Sequence, residues 1–397
     1  MKQAETGPLS GRVRLVREIT PGFSATHPDR YFDQQLDGFF NDGVFPEMSA
    51  DALKKNESEG TPRRIENLRR LEENNEGRRF CTELRDAIRA HFSVGGGQRI
   101  LLEAMKFMLR VHIDDKDRID SGLPGVSHQL KVAKNVLDVL VARGSLDRYD
   151  ATILAAALFH DVVEDHERLL LLEQDKLLAL YKQKNGRGEP ILSESDSALT
   201  KVTTLLEVES GVAREIDGHS VVAPNLFLGQ ILRLVTLDRV ELFKTWDGLS
   251  HGEAVEAADR LKAKRDEVPP EVYAENEAKK REFYALYTLD TFTDPRRAGE
   301  AASLIKIMDL RDNALTIGRI RKRFEELERQ PDDESKKKGV EIRKKYEDLK
   351  EKYKTVLVDL HKALPGWPKD TWVGRSAESL QKEIGEVLEK EYGIALP

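Results

Sequence analysis

Apolar residues recur every three or four positions along most of the chain, which is the spacing of one face of an α-helix. The clearest cases are the segments 99–111, 128–142 and 150–165, which we predict to form three consecutive helices. The third segment is almost wholly apolar through Leu158 and then becomes ionisable. This change of character within one predicted helix, over the residues HDVVED, is the most informative feature of the pattern.

A fourth apolar helix is predicted over 301–320. The residues that follow, 321–354, are nearly all charged, which is typical of a solvated helical hairpin with its turn around 331–338. The last residues, 365–397, are predicted to form a turn and one short helix. Because the chain shows neither the alternation typical of strands nor an internal repeat, the predicted fold class is all-α.

Glycine and proline positions divide the predicted helices into three parts. Residues 1–97, which end in a run of glycines, are predicted to form an N-terminal extension of helices and loops. Residues 98–355 are predicted to form the central domain, which contains a large helical insertion at about 167–300. Within that insertion, residues 217–224 are predicted to be a loop between helices, and residues 356–397 are predicted to be a C-terminal tail.

The composition narrows the class of protein. The chain of 397 residues has a formal net charge of −7, with 39% hydrophobic and 34% charged residues, which is typical of a soluble helical protein. An acidic surplus does not favour contact with phosphate backbones, so we expect no nucleic-acid partner. No stretch approaches the roughly 20 apolar residues of a membrane helix, so no membrane association is expected. The single cysteine, Cys81, and an N-terminus without a secretory signal predict a cytoplasmic setting.

A histidine followed by an aspartate can begin a metal site. His160 and Asp161 can turn a nitrogen and an oxygen toward one divalent ion, and this donor pair favours Mn²⁺ or Fe²⁺ over metals that select thiolates. Two residues do not complete a coordination sphere. The best placed further ligands are His128, at the start of the preceding predicted helix, and Asp309, in the apolar segment 301–320.

Two carboxylates follow the His-Asp pair. Because positions four apart on a helix share a face, we expect Glu164 beside His160 and Asp165 beside Asp161. Each feature also has an ordinary explanation. A lone His-Asp pair at a helix end is commonly a cap or a surface ion pair, and adjacent carboxylates are commonly solvated.

Three motifs in order along the chain favour the functional explanation. Residues 121–128 read SGLPGVSH, residues 155–165 read AAALFHDVVED and residues 304–316 read LIKIMDLRDNALT. They are similar to SGEPYIxHP, AALLHDvVED and LIKLADRLHNMRT of the RelA/SpoT hydrolase domain and its stand-alone small alarmone hydrolases, which belong to the HD phosphohydrolase superfamily. The resemblance covers roughly residues 100–346 and implies that 98–355 form an all-α HD hydrolase domain.

The resemblance implies roles for the matching residues. Family members use bound Mn²⁺ to hydrolyse the 3′-pyrophosphate of guanosine tetra- or pentaphosphate, (p)ppGpp. The residues that match the metal ligands are His128, His160, Asp161 and Asp309. The residues that match the groups positioning and activating the attacking water are Glu164 and Asp165.

The resemblance also implies nucleotide contacts. The matching residues are Arg118, which would pack on the guanine, Asn313 and Thr316, which follow Asp309 on its helix face, and Tyr346, which would face the base. For Arg118 the alternative is an ion pair with Asp114, Asp115 or Asp117 of its loop, and for Tyr346 the alternative is core packing. Two residues of the third motif differ from the family, because Leu310 and Asp312 stand where the family has Arg and His.

The activity implied is removal of the 3′-pyrophosphate of (p)ppGpp. The synthetase signatures of the bifunctional family members are missing after the hydrolase region, so hydrolysis alone is expected. Two alternatives stay open. One is a phosphatase acting on another nucleotide such as NADPH, an activity of the animal relatives of the family. The other is an antitoxin-like binding protein whose insertion or charged C-terminal helices engage a protein partner, such as an alarmone synthetase.

Overall fold

The computed structural model describes residues 13–15, 36, 38–40, 61–93, 97–144, 146–162, 192, 201, 204, 212–216, 219–223, 226–263, 265, 267–292 and 295–395. Its helices are α1 (Thr61–Glu73), α2 (Asn75–His91), α3 (Arg99–His112), α4 (Ser127–Val141), α5 (Arg148–Phe159), α6 (Leu226–Val235), α7 (Arg239–Thr245), α8 (His251–Leu261), α9 (Pro270–Phe292), α10 (Pro295–Arg329), α11 (Asp333–Ala363) and α12 (Trp372–Tyr392). A 3₁₀ turn, Leu364–Gly366, follows α11. Among the helices of these described residues, none combines the length and the apolar character needed to cross a membrane.

Helix α10 organises the fold. It packs against α4, α5, α6, α9, α11 and α12, and its residues Leu304, Ile305 and Ile307 are completely buried. A continuous hydrophobic core contains residues from Leu36 to Leu388 and includes side chains of α1 and α2 as well as α11 and α12. The segments predicted to be an N-terminal extension and a C-terminal tail therefore pack on the same core as the central helices.

Two of the first three predicted helices match the structure, and the third is shorter than predicted. Helices α3 and α4 correspond to the predicted segments 99–111 and 128–142. Helix α5 ends at Phe159, so His160 and the aspartate after it lie in the turn that follows the helix. At this end, the Nδ1 atom of His160 donates a hydrogen bond to the carbonyl oxygen of Ala157 at 2.8 Å. This side chain thereby satisfies one of the last carbonyl groups of the helix.

The helical hairpin predicted in the charged segment is confirmed. Helices α10 and α11 pack against each other and are joined at residues 330–332. The predicted boundary between residues 355 and 356 lies inside α11. The last helix, α12, is longer than the short helix predicted, with 21 residues. It begins after Thr371, whose side chain accepts a hydrogen bond from the N–H of Gly374, and it is followed by Gly393 with a left-handed φ of 66°, which suits glycine.

A small antiparallel sheet departs from the predicted pattern. Strand β1 (Val13–Leu15) pairs with β2 (Val212–Ile216), and β2 pairs with β3 (His219–Ala223). The prediction of a loop over 217–224 is therefore wrong for β3. The strands are short, and β1 is distant in sequence from its partner, so no local periodicity announces the pairing. The described chain is otherwise predominantly helical, and the predicted all-α fold class is confirmed.

Helix α1 holds the loop that leads to α4. The guanidinium of Arg70 makes a bidentate ion pair with Asp117, at 3.0 and 2.7 Å, and also donates to the carbonyl oxygen of Gly122. The side-chain amide of Asn67 donates to the carbonyl oxygen of Ile113 at 2.7 Å. A bidentate ion pair fixes the relative orientation of its two side chains and also stabilises their contact. The N-terminal helices therefore position the segment from which His128 follows.

The central position of α10 predicts unequal effects of two aliphatic truncations. Ile305→Ala is expected to lower the free energy of unfolding by about 2–5 kcal/mol, because it opens a cavity in a closed core. Val340, on α11, is 61% exposed, and Val340→Ala is expected to change it by about 0.5 kcal/mol or less. Urea denaturation of both variants measures the difference. Equal destabilisation by the two substitutions would contradict the described packing.

Candidate metal centre

Three helices bring a compact group of metal-ligating side chains together. His128 lies in the first turn of α4, His160 in the turn after α5, and Asp309 in the middle of α10. The potential ligand atoms of these residues all lie within 4.8 Å of one another. The Nε2 atom of His128 is 3.1 Å from Oδ1 of Asp309, and the Nε2 atom of His160 is 4.0 Å from the same oxygen. All three residues are buried, and the group could hold a metal ion.

The carboxylate of Asp161 lies beside the ring nitrogens of the same two histidines. Its Oδ2 atom lies 3.1 Å from Nε2 of His160 and 3.5 Å from Nε2 of His128. Its side chain is 21% exposed, whereas the side chain of Asp309 is 5% exposed, so Asp161 lies on the more open side of the group. The structure thus brings together all four residues that were predicted to be metal ligands.

The orientation of His160 tests whether a metal ion fits. Because Nδ1 donates to the carbonyl oxygen of Ala157, the lone pair of the neutral ring is on Nε2 and faces the carboxylates. The Nε2 atom is buried, and although Oδ2 of Asp161 lies 3.1 Å away, no atom of the described structure meets it with hydrogen-bond geometry. A buried polar atom without a partner is uncommon in native proteins. A divalent ion bound among two imidazole nitrogens and carboxylate oxygens would satisfy it, so the donor set fits a metal.

Asp312 fixes the orientation of His128. The Nδ1 atom of His128 donates to Oδ2 of Asp312 at 2.8 Å, which directs Nε2 toward Asp309. Carboxylates that accept the second N–H of a ligating histidine set its tautomer and ring orientation. Asp312 is buried and is itself held by Arg118 and Arg319, at 3.4 and 3.3 Å. The sequence marked Asp312 only as a difference from the family motif. The missed signal was its position three residues after Asp309, which places both carboxylates on one helix face.

Charges around the group shift its titration in opposite directions. Burial lowers the pKa of His128, but hydrogen bonds to Asp309 and Asp312 outweigh it and raise the pKa to about 9. Burial alone would raise the pKa of Asp309, yet Lys306 and the two histidines hold it well below its usual range. The pKa of Asp161 is also lowered, because His160 outweighs the effect of burial. Without a metal ion, His128 is therefore protonated at neutral pH and both ring nitrogens donate to carboxylates.

Neighbouring side chains on α10 hold both oxygens of Asp309. The ammonium of Lys306 lies 2.9 Å from Oδ2, and the side-chain amide of Asn313 donates to Oδ1 at 2.7 Å. Asn313 was predicted to contact the nucleotide, and the structure places it against the metal-ligand candidate. Its position four residues after Asp309 on one helix accounts for this contact.

Arg118 and Thr316 lie together beside Asp312. Their side chains are joined by a hydrogen bond from Arg118 to Oγ1 of Thr316 at 2.8 Å, and Arg319 donates to the same oxygen at 2.8 Å. Asp120 accepts from Arg319 at 2.8 Å and lies 3.4 Å from Arg118. Arg118 was predicted to pack on a base, and here it pairs with Asp120 and Asp312 in the network behind His128. These are not the aspartates of the alternative interpretation, which were Asp114, Asp115 and Asp117.

Tyr346 lies away from the four converging side chains. Its hydroxyl donates to Glu391 at 3.0 Å and its ring packs edge-to-face on Phe324, with centroids 5.3 Å apart. Phe324 is fifteen residues beyond Asp309 on α10, which corresponds to about 22 Å along a helix. The structure therefore places Tyr346 in the core between α10, α11 and α12. The predicted water-activating residues, Glu164 and Asp165, lie outside the described residues.

Comparison with known proteins adds no relative. No family model, no curated protein and no solved structure matches this chain.

Loss of the Asp312 carboxylate is expected to weaken metal binding. Asp312→Ala removes the group that orients His128, and we expect the affinity for Mn²⁺ to fall by about 10–100-fold, as measured by isothermal titration calorimetry. Asp138 on α4 is a matched control, because its side chain is 60% exposed and pairs with Lys134 on the same helix. Asp138→Ala should bind Mn²⁺ like the unchanged protein. Unaltered affinity in Asp312→Ala would show that Asp312 does not position the ligand.

The raised pKa of His128 predicts proton release on metal binding. The pKa of about 9 lies above the ordinary value of 6.5, so between these values His128 must lose a proton before Nε2 can ligate. We expect at least about one proton released per Mn²⁺ at pH 7–8, and affinity that rises by up to about tenfold per pH unit until the pKa is passed. Calorimetry in buffers of different ionisation enthalpy counts the protons.

A histidine outside the group serves as the control for this measurement. His361 lies near the end of α11, and His361→Asn should leave the number of protons released per Mn²⁺ unchanged. Absence of proton release at pH 7–8, or an unchanged count in His128→Asn, would show that His128 does not ligate the ion.

Proposed function

We propose that this protein is a Mn²⁺-dependent hydrolase that removes the 3′-pyrophosphate of (p)ppGpp and has no synthetase activity. The observation that carries the proposal is the convergence of His128, His160, Asp161 and Asp309 on one point. These residues come from the three ordered motifs that resemble the RelA/SpoT hydrolase domain. Chance similarity of short motifs does not require their ligand positions to meet in space.

The donor set supports Mn²⁺ as the ion. Two imidazole nitrogens and two carboxylates, without a thiolate, suit manganese or iron better than metals that select sulfur. When bound, Mn²⁺ lowers the pKa of water from about 15.7 toward neutrality and polarises a phosphoryl oxygen. The residues that would hold it are His128, His160, Asp161 and Asp309.

The remaining roles belong to side chains around the ligands. Asn313 and Lys306 keep Asp309 ionised and oriented, and Asp312 orients the ring of His128 so that Nε2 faces Asp309. In the proposal, Glu164 and Asp165 orient the attacking water and accept its proton, since a nearby carboxylate is suited to both tasks. The HD-domain assignment of the central helices, a nucleotide substrate and a cytoplasmic location are parts of the same proposal.

The decisive experiment is nucleotide hydrolysis with product analysis. Purified protein with Mn²⁺ is expected to convert ppGpp to GDP and pyrophosphate, separated by ion-exchange chromatography. Asp309→Asn is expected to lower the rate by about a thousandfold or more, because the metal-dependent stabilisation of the transition state is lost. Asp138→Asn, on the exposed face of α4, should keep the full rate.

The same assay separates the proposal from its alternatives. Release of orthophosphate from NADPH, with ppGpp untouched, would identify a phosphatase of different substrate. If no nucleotide in a panel is hydrolysed and a His160→Ala, Asp161→Ala double variant keeps its biological effect, the protein acts by binding a partner. Either result would refute the proposed reaction.

A further inference from the structure

Two lysines share one aromatic ring beside the candidate metal centre. The ring belongs to Tyr284 of α9, which is half-buried. The ammonium of Lys306, from α10, lies 5.6 Å from the ring centroid, and that of Lys352, from α11, lies 4.4 Å from it. Tyr353 completes the group, since its ring packs edge-to-face on Tyr284 with centroids 5.7 Å apart. Three helices therefore build a cationic and aromatic cluster at this place.

The two ammonium groups do not have equal partners. Lys306 pairs with Asp309 at 2.9 Å. Lys352 is half-buried and has no carboxylate within ion-pair distance in the described part of the chain. Its contacts are the faces of Tyr284 and Tyr353 and a hydrogen bond with the neutral Tyr353 side chain. A ring face attracts a cation by about 0.5–2 kcal/mol, which is less than a charged hydrogen-bond partner supplies when water is largely excluded. Lys352 thus retains capacity to bind an anion.

The like charges also lie close to each other. With distances of 4.4 and 5.6 Å to one centroid, the two nitrogens are at most about 10 Å apart. Neighbouring Tyr353 raises the pKa of Lys352 and outweighs burial and the charge of Lys306, which both lower it, so the side chain is charged at neutral pH. Two ammonium groups that are partly removed from water repel each other, and an anion bound close to both would replace this repulsion with attraction.

The cluster adjoins the metal-ligand candidates. Lys306 precedes Asp309 by three residues on α10 and contacts its carboxylate directly. A polyphosphate substrate with one group at the ligands therefore has a second group within reach of Lys306. The two positive charges of the cluster favour an anionic group of a nucleotide over a cationic one.

We propose that Lys352 and Lys306, whose ammonium groups both approach the ring of Tyr284, form an oxyanion subsite for a phosphate group of the substrate. The subsite rests on the proposed function, in that it takes a phosphate that is not the one cleaved. Its ligand class is a phosphate monoester or diphosphate, whichever base the nucleotide carries.

Binding of inorganic pyrophosphate to the full-length, metal-free protein tests the subsite without any reaction. Lys352→Met keeps the apolar stem and removes the charge, and we expect it to weaken binding by about tenfold or more, measured by calorimetry at low salt. Lys352→Arg should stay within about threefold of the unchanged protein, because it keeps a cation over the rings.

Lys350 offers a matched control. It lies on the same helix and its ammonium also sits on tyrosine rings, 5.0 Å from the centroid of Tyr346 and 5.5 Å from that of Tyr392. Lys350→Met should bind pyrophosphate as the unchanged protein does. The subsite is refuted if the unchanged protein does not bind pyrophosphate, or if Lys352→Met and Lys350→Met bind it equally.

The readout is separate from hydrolysis of ppGpp. A protein that binds pyrophosphate through Lys352 but leaves ppGpp intact would refute the proposed function and keep the subsite. A protein that hydrolyses ppGpp, with both the KM and the pyrophosphate affinity unchanged in Lys352→Met, would keep the function and refute the subsite.

Discussion

Burial of the Asp309 carboxylate is the constraint on which the arrangement of this protein depends. An ionised carboxylate removed from water costs several kcal/mol unless charges and hydrogen bonds replace the lost hydration. Here the replacement comes from His128, Lys306 and Asn313, which approach within 3.1, 2.9 and 2.7 Å. Two of these groups lie on the same helix as Asp309, and the third reaches it only because α4 packs on α10. The electrostatic requirement of one side chain thus ties a central helix to its neighbour.

The same requirement is met again one turn further along α10. Asp312 is buried against His128, Arg118 and Arg319, and Asp120 is shared between the two arginines. Each buried carboxylate has at least two cationic or donor partners, which is how a low-dielectric region retains charge. The overall charge of −7 therefore says little about this region, where cations and carboxylates alternate.

Much of the fold and the metal centre follows from the sequence, for identifiable reasons. The helices α3 and α4 carry apolar residues at regular helical spacing. The four converging residues lie in three motifs that occur along the chain in the same order as the metal-ligand motifs of the family they resemble. The role of Asp312 and the position of Lys352 do not follow, because each depends on how one helix packs against another. The pairing of strands β1 and β2 joins residues far apart in the chain, which local patterns do not encode. Tyr346 shows the reverse case, where motif similarity suggested a contact and helix geometry places the ring elsewhere.

The two histidines of the centre are held by different kinds of group, and this difference has an evolutionary consequence. The ring of His160 is fixed by a main-chain carbonyl, that of Ala157, which every residue type at position 157 would supply. The ring of His128 is fixed by a side chain, Asp312, which a single codon change can remove or replace. The support of His160 therefore does not depend on the chemistry of a side chain, whereas that of His128 does. Substitution at position 312 can change the basicity of His128 without changing a ligand residue.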